Sequence, residues 1–480
     1  MKRIVAVIVF TAVATAVFSA APAGVGKDSF VRVAADGSGF VLGGKPWHPF
    51  GCNYFDPHVG WAPKLWQQFD AQRVEEHFRV MERLGVNVVR VFLTEQSFFP
   101  DPPKLDPAGL EKFDAMLAIA RRHGIRVHPT GPDHWEGRPA WAQADMFADL
   151  KSLDAQAAFW KAFAARYRDE PALFAYDLRN EPEVRWSGRA MEAAWREWIH
   201  DRYSTVEALR KAWGAEAEAI QSLDGVAIPP DQAAPKSAML LDFQRFRESL
   251  ADRWVKVQAD AIRANDPNHP VTVGLIQWTL PAIVGKPSRY AAFRPSRIAP
   301  MLDFLSVHFY PLWGDPLNSQ DDFDRNLAYL EMLLRYVGAG DLRKPLLVGE
   351  FGWYGGGRTN DRAAVRSPED QARWCRAAVL QGRGLAVGWL NWAYADTPSS
   401  RDMTKFSGLV TEDNAPKAWG TAFQELAKDP SAWAAGGEKP QAEAEFDIDR
   451  AATDPSEGDA MLRRFFESWK PARRCGLAVR

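Results

Sequence analysis

The chain has 480 residues, of which 46% are hydrophobic and 25% charged. That balance is typical of a globular protein, and the length suits one large α/β barrel with insertions or two to three ordinary domains. The net charge of −2 argues against the basic surface that nucleic acids or anionic membranes attract, so neither is expected as a partner.

Residues 1–23 have the features of a secretory signal peptide. A basic start at Lys2 and Arg3 precedes the apolar run Ile4–Phe18, and Ala21–Ala23 offers a small-residue cleavage site. The apolar run is short for a membrane span, and no later segment is apolar enough to cross a membrane. We therefore predict an exported protein, secreted or periplasmic, with no membrane contact after cleavage.

The chain then alternates between two kinds of hydrophobic pattern. Phe30–Val41 suggests a hairpin around Asp36-Gly37, and beyond it eight apolar runs of strand length alternate with segments of helical periodicity. The predicted strands are Phe50–Tyr54, Val86–Leu93, Ile125–Pro129, Leu173–Asn180, Val271–Leu275, Phe304–Phe309, Leu346–Phe351 and Leu385–Trp392. Eight such units over roughly 380 residues predict a (β/α)8 TIM barrel rather than a doubly wound sheet, with the hairpin capping the barrel floor.

Two regions depart from the repeating pattern. The unit after the fourth predicted strand carries a large insertion, residues 183–236, which we predict to overhang the cleft because these loops open on the catalytic face. We place the catalytic domain at residues 28–430 and a partly flexible C-terminal tail at 431–480. Within that tail, Ala434–Asp459 is predicted as a linker. Met461–Trp469 is predicted as a short helix that either docks on the barrel or serves a partner.

Polar residues collect where the predicted strands end, which is where barrel enzymes carry their chemistry. Asn180 and Glu181 end the fourth strand, and Glu350 ends the seventh, each after an apolar run. Holding two carboxylates at buried strand ends costs free energy. Such a pair, with one acid protonated and the other ionised, is what glycoside hydrolysis needs. Neighbouring side chains on one strand point to opposite faces, so the pair must come from different strands.

No cofactor is predicted. No Gly-rich phosphate loop follows the first strand, which argues against nucleotide binding. Asp133, His134 and Glu136 are clustered in the chain, but their spacing matches no helix-borne metal-ligand motif, so no metal is predicted.

At these strand ends the chain resembles glycoside hydrolase clan A, and most closely family 5, the cellulase and β-mannanase family. Five segments carry the resemblance in order along residues 38–428. They are Arg90 in the second strand, Asn180-Glu181-Pro182 in the fourth, His308–Pro311 (His-x-Tyr) in the sixth, Glu350 in Val348–Gly352 of the seventh, and Trp389–Trp392 in the eighth.

The resemblance implies a retaining β-glycosidase. Glu181 would be the general acid and then the base, with its pKa raised to roughly 6, and Glu350 would be the nucleophile. Arg90 and Tyr310 would donate hydrogen bonds that keep Glu350 ionised. The predicted substrate-binding set is Arg90, Asn180 (to the sugar 2-hydroxyl), His134, His308, Tyr310, Trp392 (stacked beneath the sugar), Asn53, Trp135 and Trp353.

Some interpretations stay open. His128 and His134 compete for the third-strand histidine of the family, and we favour His134. Glu181 has the alternative of a structural pair with Arg179, and Glu350 that of a buried pair with Arg90. A noncatalytic carbohydrate-binding barrel and a transglycosylase are the rival functions.

The substrate is predicted from the aromatic residues. Seven tryptophans fall at or just after predicted strand ends: Trp61, Trp135, Trp186, Trp278, Trp313, Trp353 and Trp392. Flat rings stack on sugar faces, so this rim favours an oligo- or polysaccharide, with β-mannan or β-glucan first. Tyr203–Gly214 in the insertion resembles β-galactosidase-type branches of the clan, which keeps an exo-acting β-mannosidase or β-galactosidase open. We expect a monomer.

Overall fold

The structure is a computed structural model that describes residues 29–312, 315–339, 342–353, 366–400, 402–434 and 445–472. Its strands are β1 (Arg32–Val33), β2 (Phe40–Leu42), β3 (Lys45–Trp47), β4 (Phe50–Asn53), β5 (Val88–Thr94), β6 (Arg126–Asp133), β7 (Tyr176–Asn180), β8 (Val271–Leu275), β9 (Leu305–Phe309), β10 (Leu346–Phe351) and β11 (Gly388–Asn391). Strands β4 to β11 pair in parallel in chain order, and β11 pairs with β4 to close the barrel. The predicted (β/α)8 barrel is confirmed.

Helices lie between the barrel strands and after the last of them. They are α1 (Lys64–Gln67), α2 (Ala71–Arg83), α3 (Glu95–Phe98), α4 (Pro107–Arg122), α5 (Leu150–Tyr167), α6 (Arg189–Tyr203), α7 (Val206–Trp213), α8 (Ala238–Arg263), α9 (Pro295–Ile298), α10 (Gln320–Val337), α11 (Pro368–Gln381), α12 (Ala418–Lys428), α13 (Ile448–Thr453) and α14 (Pro455–Ala472). Short polar side chains define where several begin, since each accepts a hydrogen bond from a backbone N–H of the first turn. These caps include Asp70, Asp106, Asp149, Ser319 and Ser367.

The floor of the barrel is covered by the small antiparallel sheet β1–β2–β3. Phe40 of β2 contacts Phe174 and Phe304, with ring centroids 5.2 and 5.1 Å apart. Val31 and Leu347 lie in the same buried cluster, at the amino-terminal ends of the barrel strands. The predicted hairpin and its position are therefore confirmed, and a functional cleft has to open at the opposite, carboxyl end.

The insertion after β7 is packed firmly on the domain. Its helices α6 and α7 lie against the long helix α8. Trp195 of α6 is fully buried, 5.2 Å from the ring of Phe243 and 5.3 Å from that of Phe246, both in α8. Burying an aromatic side chain of this size stabilises a packed interface by about 2–3 kcal/mol. The insertion is thus a fixed wall of the domain.

The described part of the tail folds onto the barrel, so the prediction of a linker through Asp459 is wrong for residues 448–459. Helix α13 packs on α8, and α14 packs on α10. Trp469 is buried and its indole N–H donates to Glu331 at 2.9 Å. Asp459 accepts a hydrogen bond from the backbone N–H of Ile283 at 3.0 Å. The polar composition concealed a short apolar stripe, Ile448 with Ala451 and Ala452, that buries against the domain.

The predicted signal peptide, residues 1–23, and Trp313 lie outside the described residues. Among the helices that the structure describes, none combines the length and the apolar character that a membrane crossing requires.

Candidate active site

Glu181 and Glu350 meet at the carboxyl ends of β7 and β10. One carboxylate oxygen of each lies within 4.8 Å of the other, and a ring nitrogen of His308 belongs to the same cluster. Retaining glycosidases hold their two carboxyl groups about 5–5.5 Å apart, and inverting ones about 6.5–9.5 Å. The Glu181 side chain is 27% exposed and that of Glu350 only 5%. Glu181 is therefore the more accessible of two closely paired acids, at the separation that suits retention.

Glu350 is held by two donors, one in strand β5 and one just after strand β9. Arg90 of β5 donates from Nη1 to Glu350 Oε1 at 2.7 Å, and the Tyr310 hydroxyl donates to Oε2 at 2.7 Å. The pKa of Glu350 is raised above its ordinary value, first by burial and also by the nearby Glu181, while His308, Arg90 and the Tyr310 hydrogen bond oppose that rise. Both predicted hydrogen bonds are present, and together they favour the ionised carboxylate that a nucleophile requires.

Glu181 is in a different environment, on a strained stretch of backbone. Its φ is 44°, in the left-handed region that ordinary residues avoid, and its N–H donates to the Gly274 carbonyl of β8 at 2.9 Å. Burial raises the pKa of Glu181 to about 7; Arg90 lowers it and Asp133 raises it further. The carboxyl is therefore protonated for a large part of the time near neutral pH. The open alternative of a pair with Arg179 is not found, since Arg179 instead contacts Glu95 and the Pro132 carbonyl.

His308 lies between the two acids. Its Nδ1 is 2.9 Å from Glu181 Oε1 and 3.5 Å from Glu350 Oε1. Burial lowers the pKa of His308 to about 4, so the ring is neutral at working pH. A neutral ring with its proton on Nδ1 donates to Glu181 and orients that carboxyl without adding a charge between the acids.

Arg90 is the centre of the buried network. It is fully buried and donates to Asp177 Oδ2 at 2.9 Å and to the side-chain oxygens of Asn53 and Asn180 at 3.0 Å each. The charge of Asp177 compensates the guanidinium inside the barrel, and sequence analysis missed this residue. The available signal was an acidic residue inside the apolar run Leu173–Asn180, which contains β7, because a buried charge needs a partner.

A glycine makes room for this network. A Cβ at Gly274 would lie 2.9 Å from His308 Nε2 and 3.0 Å from both Arg90 Nη2 and Asp177 Oδ2. Those separations are shorter than real Cβ contacts, so any larger residue there would push the three side chains apart. The β8 position thus has a part in the site that its apolar surroundings in the sequence did not reveal.

Four of the nine predicted substrate-binding residues are fully buried and do not reach the cleft surface: Arg90, Asn53, His308 and Trp353. Asn53 accepts from Arg90 and donates to the Gly349 carbonyl at 3.0 Å, so it positions the arginine. The ring of Trp353 packs in the core. Sugar contact by these side chains stays a prediction, because position at a strand end does not say to which side a side chain points.

The remaining aromatic residues form a path from the acids toward solvent, which we call the tryptophan path (Trp392, Trp61 and Trp135). Trp392, which follows β11, is 6% exposed. Its ring is 5.5 Å from that of Trp61, which is 5.4 Å from that of Trp135. Trp135 is 39% exposed. The path gives the cleft an aromatic wall several rings long.

The loop that carries Trp135 is anchored from both sides. Glu136 accepts hydrogen bonds from Ser97 and from Gln67 at 2.7 Å each. His134 stacks on Trp135 at 4.7 Å, and its Nδ1 is 3.0 Å from Asp133. His134 thus lies at the rim.

The two histidines that compete for the family's histidine position in the third barrel strand, His128 in β6 and His134 just after it, differ in their surroundings. His128 is fully buried and contacts the Ala175 carbonyl, far from the rim that carries His134. The geometry agrees with the choice of His134, and its role in binding stays a prediction.

A closed parallel barrel with paired glutamates at the carboxyl ends of β7 and β10, an arginine in β5 and a tryptophan after β11 has the fold and site arrangement of glycoside hydrolase clan A. The family model described as beta-galactosidase, that of glycoside hydrolase family 42, matches residues 151–429, more than half of the chain. The chain belongs to this family. The model described as cellulase (glycosyl hydrolase family 5) matches residues 42–225. The predicted membership of clan A, with likeness to family 5, is confirmed.

Individual relatives agree with both models. The beta-galactosidase BgaP of Planococcus sp. (strain L4) is 25% identical over 45% of this chain and 37% of its own length. The mannan endo-1,4-beta-mannosidase F of Aspergillus clavatus is 26% identical over 33% of this chain and 40% of its own length. The chain therefore spans about two fifths of the length of these curated relatives.

A solved structure matches most of the fold. The GH5_18 protein of Streptomyces cattleya, in complex with Manb1-4GlcNAc, superposes with a TM-score of 0.62 over 89% of this chain and 93% of that chain, at 18% identity.

Proposed function

We propose that the protein is a retaining β-glycoside hydrolase, with Glu350 as nucleophile and Glu181 as acid and base. The observation that carries the proposal is the pair itself, with carboxylate oxygens within 4.8 Å and contrasting surroundings. Glu350 has Arg90 and Tyr310 as donors, which favours the ionised form, whereas burial raises the pKa of Glu181 to about 7.

The chemistry follows in two displacements. In the first, the Glu350 carboxylate bonds to the anomeric carbon while the glycosidic C–O bond breaks and Glu181 gives its proton to the leaving oxygen. In the second, Glu181 takes a proton from water, the water oxygen bonds to the anomeric carbon, and the Glu350 ester is released as carboxylate. The amide oxygen of Asn180 already accepts a hydrogen bond from Arg90. The amide nitrogen of Asn180 is therefore the group that would donate a hydrogen bond to the sugar 2-oxygen.

For the substrate we propose a β-linked oligo- or polysaccharide, with β-mannan or a β-glucan first. The tryptophan path supports a substrate of several sugars, and the mannan-cleaving relatives and the disaccharide in the GH5_18 complex favour mannosides. A β-galactoside is the second candidate, because the family 42 match runs through the insertion after β7. Product profiling on mannan, glucan, xylan and galactan, with end-labelled oligosaccharides, would separate these substrates and endo from exo cleavage. Binding of oligosaccharides with no hydrolysis over days would instead favour a noncatalytic barrel, and transfer to added acceptors a transglycosylase.

We also propose that the protein is exported and acts as a monomer. The signal-like residues 1–23 support export. Amino-terminal sequencing of protein recovered outside the cytoplasm, together with light scattering on the mature form, tests both statements. Protein found only in the cytoplasm, with its amino terminus retained, would contradict export, and a stable dimer would contradict the monomer.

The pH profile should reveal the protonated acid. Glu181 must carry its proton in the first step and its pKa is raised to about 7, so kcat/KM is expected to fall as pH rises through about 7. At acidic pH the rate falls again as Glu350 takes up a proton. Measuring kcat/KM between pH 4 and about 9 checks this, with Glu181→Gln expected to lose the basic limb. A basic limb that persists in that variant would show that another group is responsible.

The tryptophan path should matter only for long substrates. Trp135→Ala removes an exposed ring at the outer end of the path. We expect KM for an oligosaccharide to rise about fivefold, or ~1 kcal/mol, as a stacking contact is lost. An aryl glycoside of a single sugar is the matched control and should keep its kcat/KM. Equal losses on both substrates would indicate a structural role for Trp135.

A further inference from the structure

A second cluster of possible metal ligands lies just after β4, outside the paired acids. Asp56 and His58 are on the loop that leaves β4, and His77 is on α2. One ligand atom of each lies within 4.8 Å of the others. Asp56 and His77 are 1% exposed, whereas the His58 side chain is 40% exposed. The cluster therefore has two buried ligands and one that solvent reaches.

Each of these side chains is already oriented by its neighbours. The N–H of His58 donates to Asp56 Oδ1 at 3.0 Å, and the N–H groups of Val59 and Gly60 donate to the Asp56 carbonyl. The His77 Nδ1 is 2.9 Å from the Tyr54 hydroxyl. The rings of His58 and His77 are nearly parallel, 15° apart in plane, at 6.0 Å. The turn and the helix thus hold the three groups facing one another.

We propose that Asp56, His58 and His77 bind a divalent transition-metal cation, with zinc as the first candidate. Two imidazoles and a carboxylate suit zinc, cobalt or nickel better than calcium or magnesium, which prefer oxygen ligands. Three protein ligands leave the fourth tetrahedral position to water. With Nε2 on the metal, His77 would donate its Nδ1 proton to the Tyr54 hydroxyl 2.9 Å away, the outer hydrogen bond that metal-bound histidines usually make.

The distances and charges suit such an ion. In a tetrahedral site, bonds of about 2.0–2.2 Å place two ligand atoms of one ion about 3.4 Å apart. Ligand atoms within 4.8 Å therefore have to close by up to about 1.5 Å, and rotation of the exposed His58 ring supplies part of that movement. Arg73 occupies Asp56 Oδ2 at 2.8 Å and also pairs with Asp70, which leaves Oδ1 as the metal ligand and one net negative charge in the group.

The site would act on the cleft through its loop. Trp61 follows His58 by three residues and contacts both Trp392 and Trp135 in the tryptophan path. A metal on Asp56 and His58 would fix this loop to α2 and so hold the middle ring of the path. The ion takes no part in bond cleavage and its role is structural.

The test uses the full-length protein, dialysed against EDTA and titrated with Zn²⁺ alone by calorimetry. We expect one equivalent to bind and the unfolding temperature to rise, and Co²⁺ to give visible absorption bands of a tetrahedral site. His58→Ala should fold, because the His58 side chain is 40% exposed, and should lose more than about tenfold in Zn²⁺ affinity. His200→Ala is the matched control: the exposed His200 ring pairs with Asp224 at 2.9 Å, and this variant should bind Zn²⁺ as the wild type does.

A further variant separates this site from the paired acids, which with His308 also lie within 4.8 Å. Glu181→Gln should keep the Zn²⁺ affinity. Loss of binding in Glu181→Gln with full binding in His58→Ala would overturn the proposal, and so would failure of the wild type to bind any Zn²⁺. None of these readouts depends on glycosidase activity, so the proposal and the proposed function fail independently.

Discussion

Glu350→Ala should abolish turnover, with kcat lowered by about 10⁴-fold or more, because no other group can form the covalent intermediate. The variant should still fold, since Arg90 keeps the charge of Asp177 after the loss of Glu350. Rates on an aryl β-glycoside, with the unfolding temperature measured in parallel, check both expectations. Added azide should partly restore turnover by attacking from the vacated side, giving a glycosyl azide of inverted configuration.

The control for this experiment is Glu425→Ala, which removes an exposed carboxylate (62% accessible) paired with Arg376 on the surface. Such a pair contributes little to stability, and the variant should turn over like the wild type. A Glu350→Ala enzyme within tenfold of the wild-type rate would exclude Glu350 as nucleophile. So would a rescued product that retains the configuration of the substrate.

Glu181→Ala should show an effect that depends on the leaving group. A dinitrophenyl glycoside needs no proton to depart, so its first step should survive, while unactivated β-glycosides should lose about 10²–10⁴-fold in rate. Pre-steady-state kinetics should then reveal accumulation of the glycosyl-enzyme, because the second step lacks its base. Added azide should accelerate release and give a glycosyl azide with the configuration of the substrate.

Glu183→Ala is the matched control, an exposed carboxylate two residues further along the same segment. Its effect should be small and similar for both leaving groups. If Glu181→Ala slowed activated and unactivated substrates equally, Glu181 would be a binding or structural residue, and the acid would have to be sought elsewhere.

The sequence predicted the chemical groups of the site more completely than it predicted how their side chains pack. The polar ends of the apolar strands and the family resemblance together predicted Glu181 and Glu350 as the paired acids. They also predicted that Arg90 and Tyr310 donate hydrogen bonds to Glu350. They did not reveal Asp177, whose side chain reaches Arg90 inside the barrel. Position at a strand end also did not reveal that the side chain of Trp353 is buried.

The C-terminal tail also shows where prediction from the sequence is limited. The composition of residues 434–459 is poor in large apolar groups, and such segments are predicted to be flexible because they bury little surface. In the structure Ile448 and two alanines are enough for α13, because α8 already offers a surface to pack against. Composition measures what a segment could bury by itself, whereas its stability here depends on a partner helix far away in the chain.

The sequence by itself determined the barrel, since eight apolar runs of strand length alternating with helices permit few other architectures. It also determined which residue types stand at the carboxyl ends of those strands. Only the tertiary structure decided that Glu181 and Glu350 come within 4.8 Å with His308 between them, and that burial raises the pKa of Glu181. The physical reason is that hydrophobic periodicity is local along the chain. The separation, burial and charge of two side chains depend instead on how strands distant in sequence close into one ring.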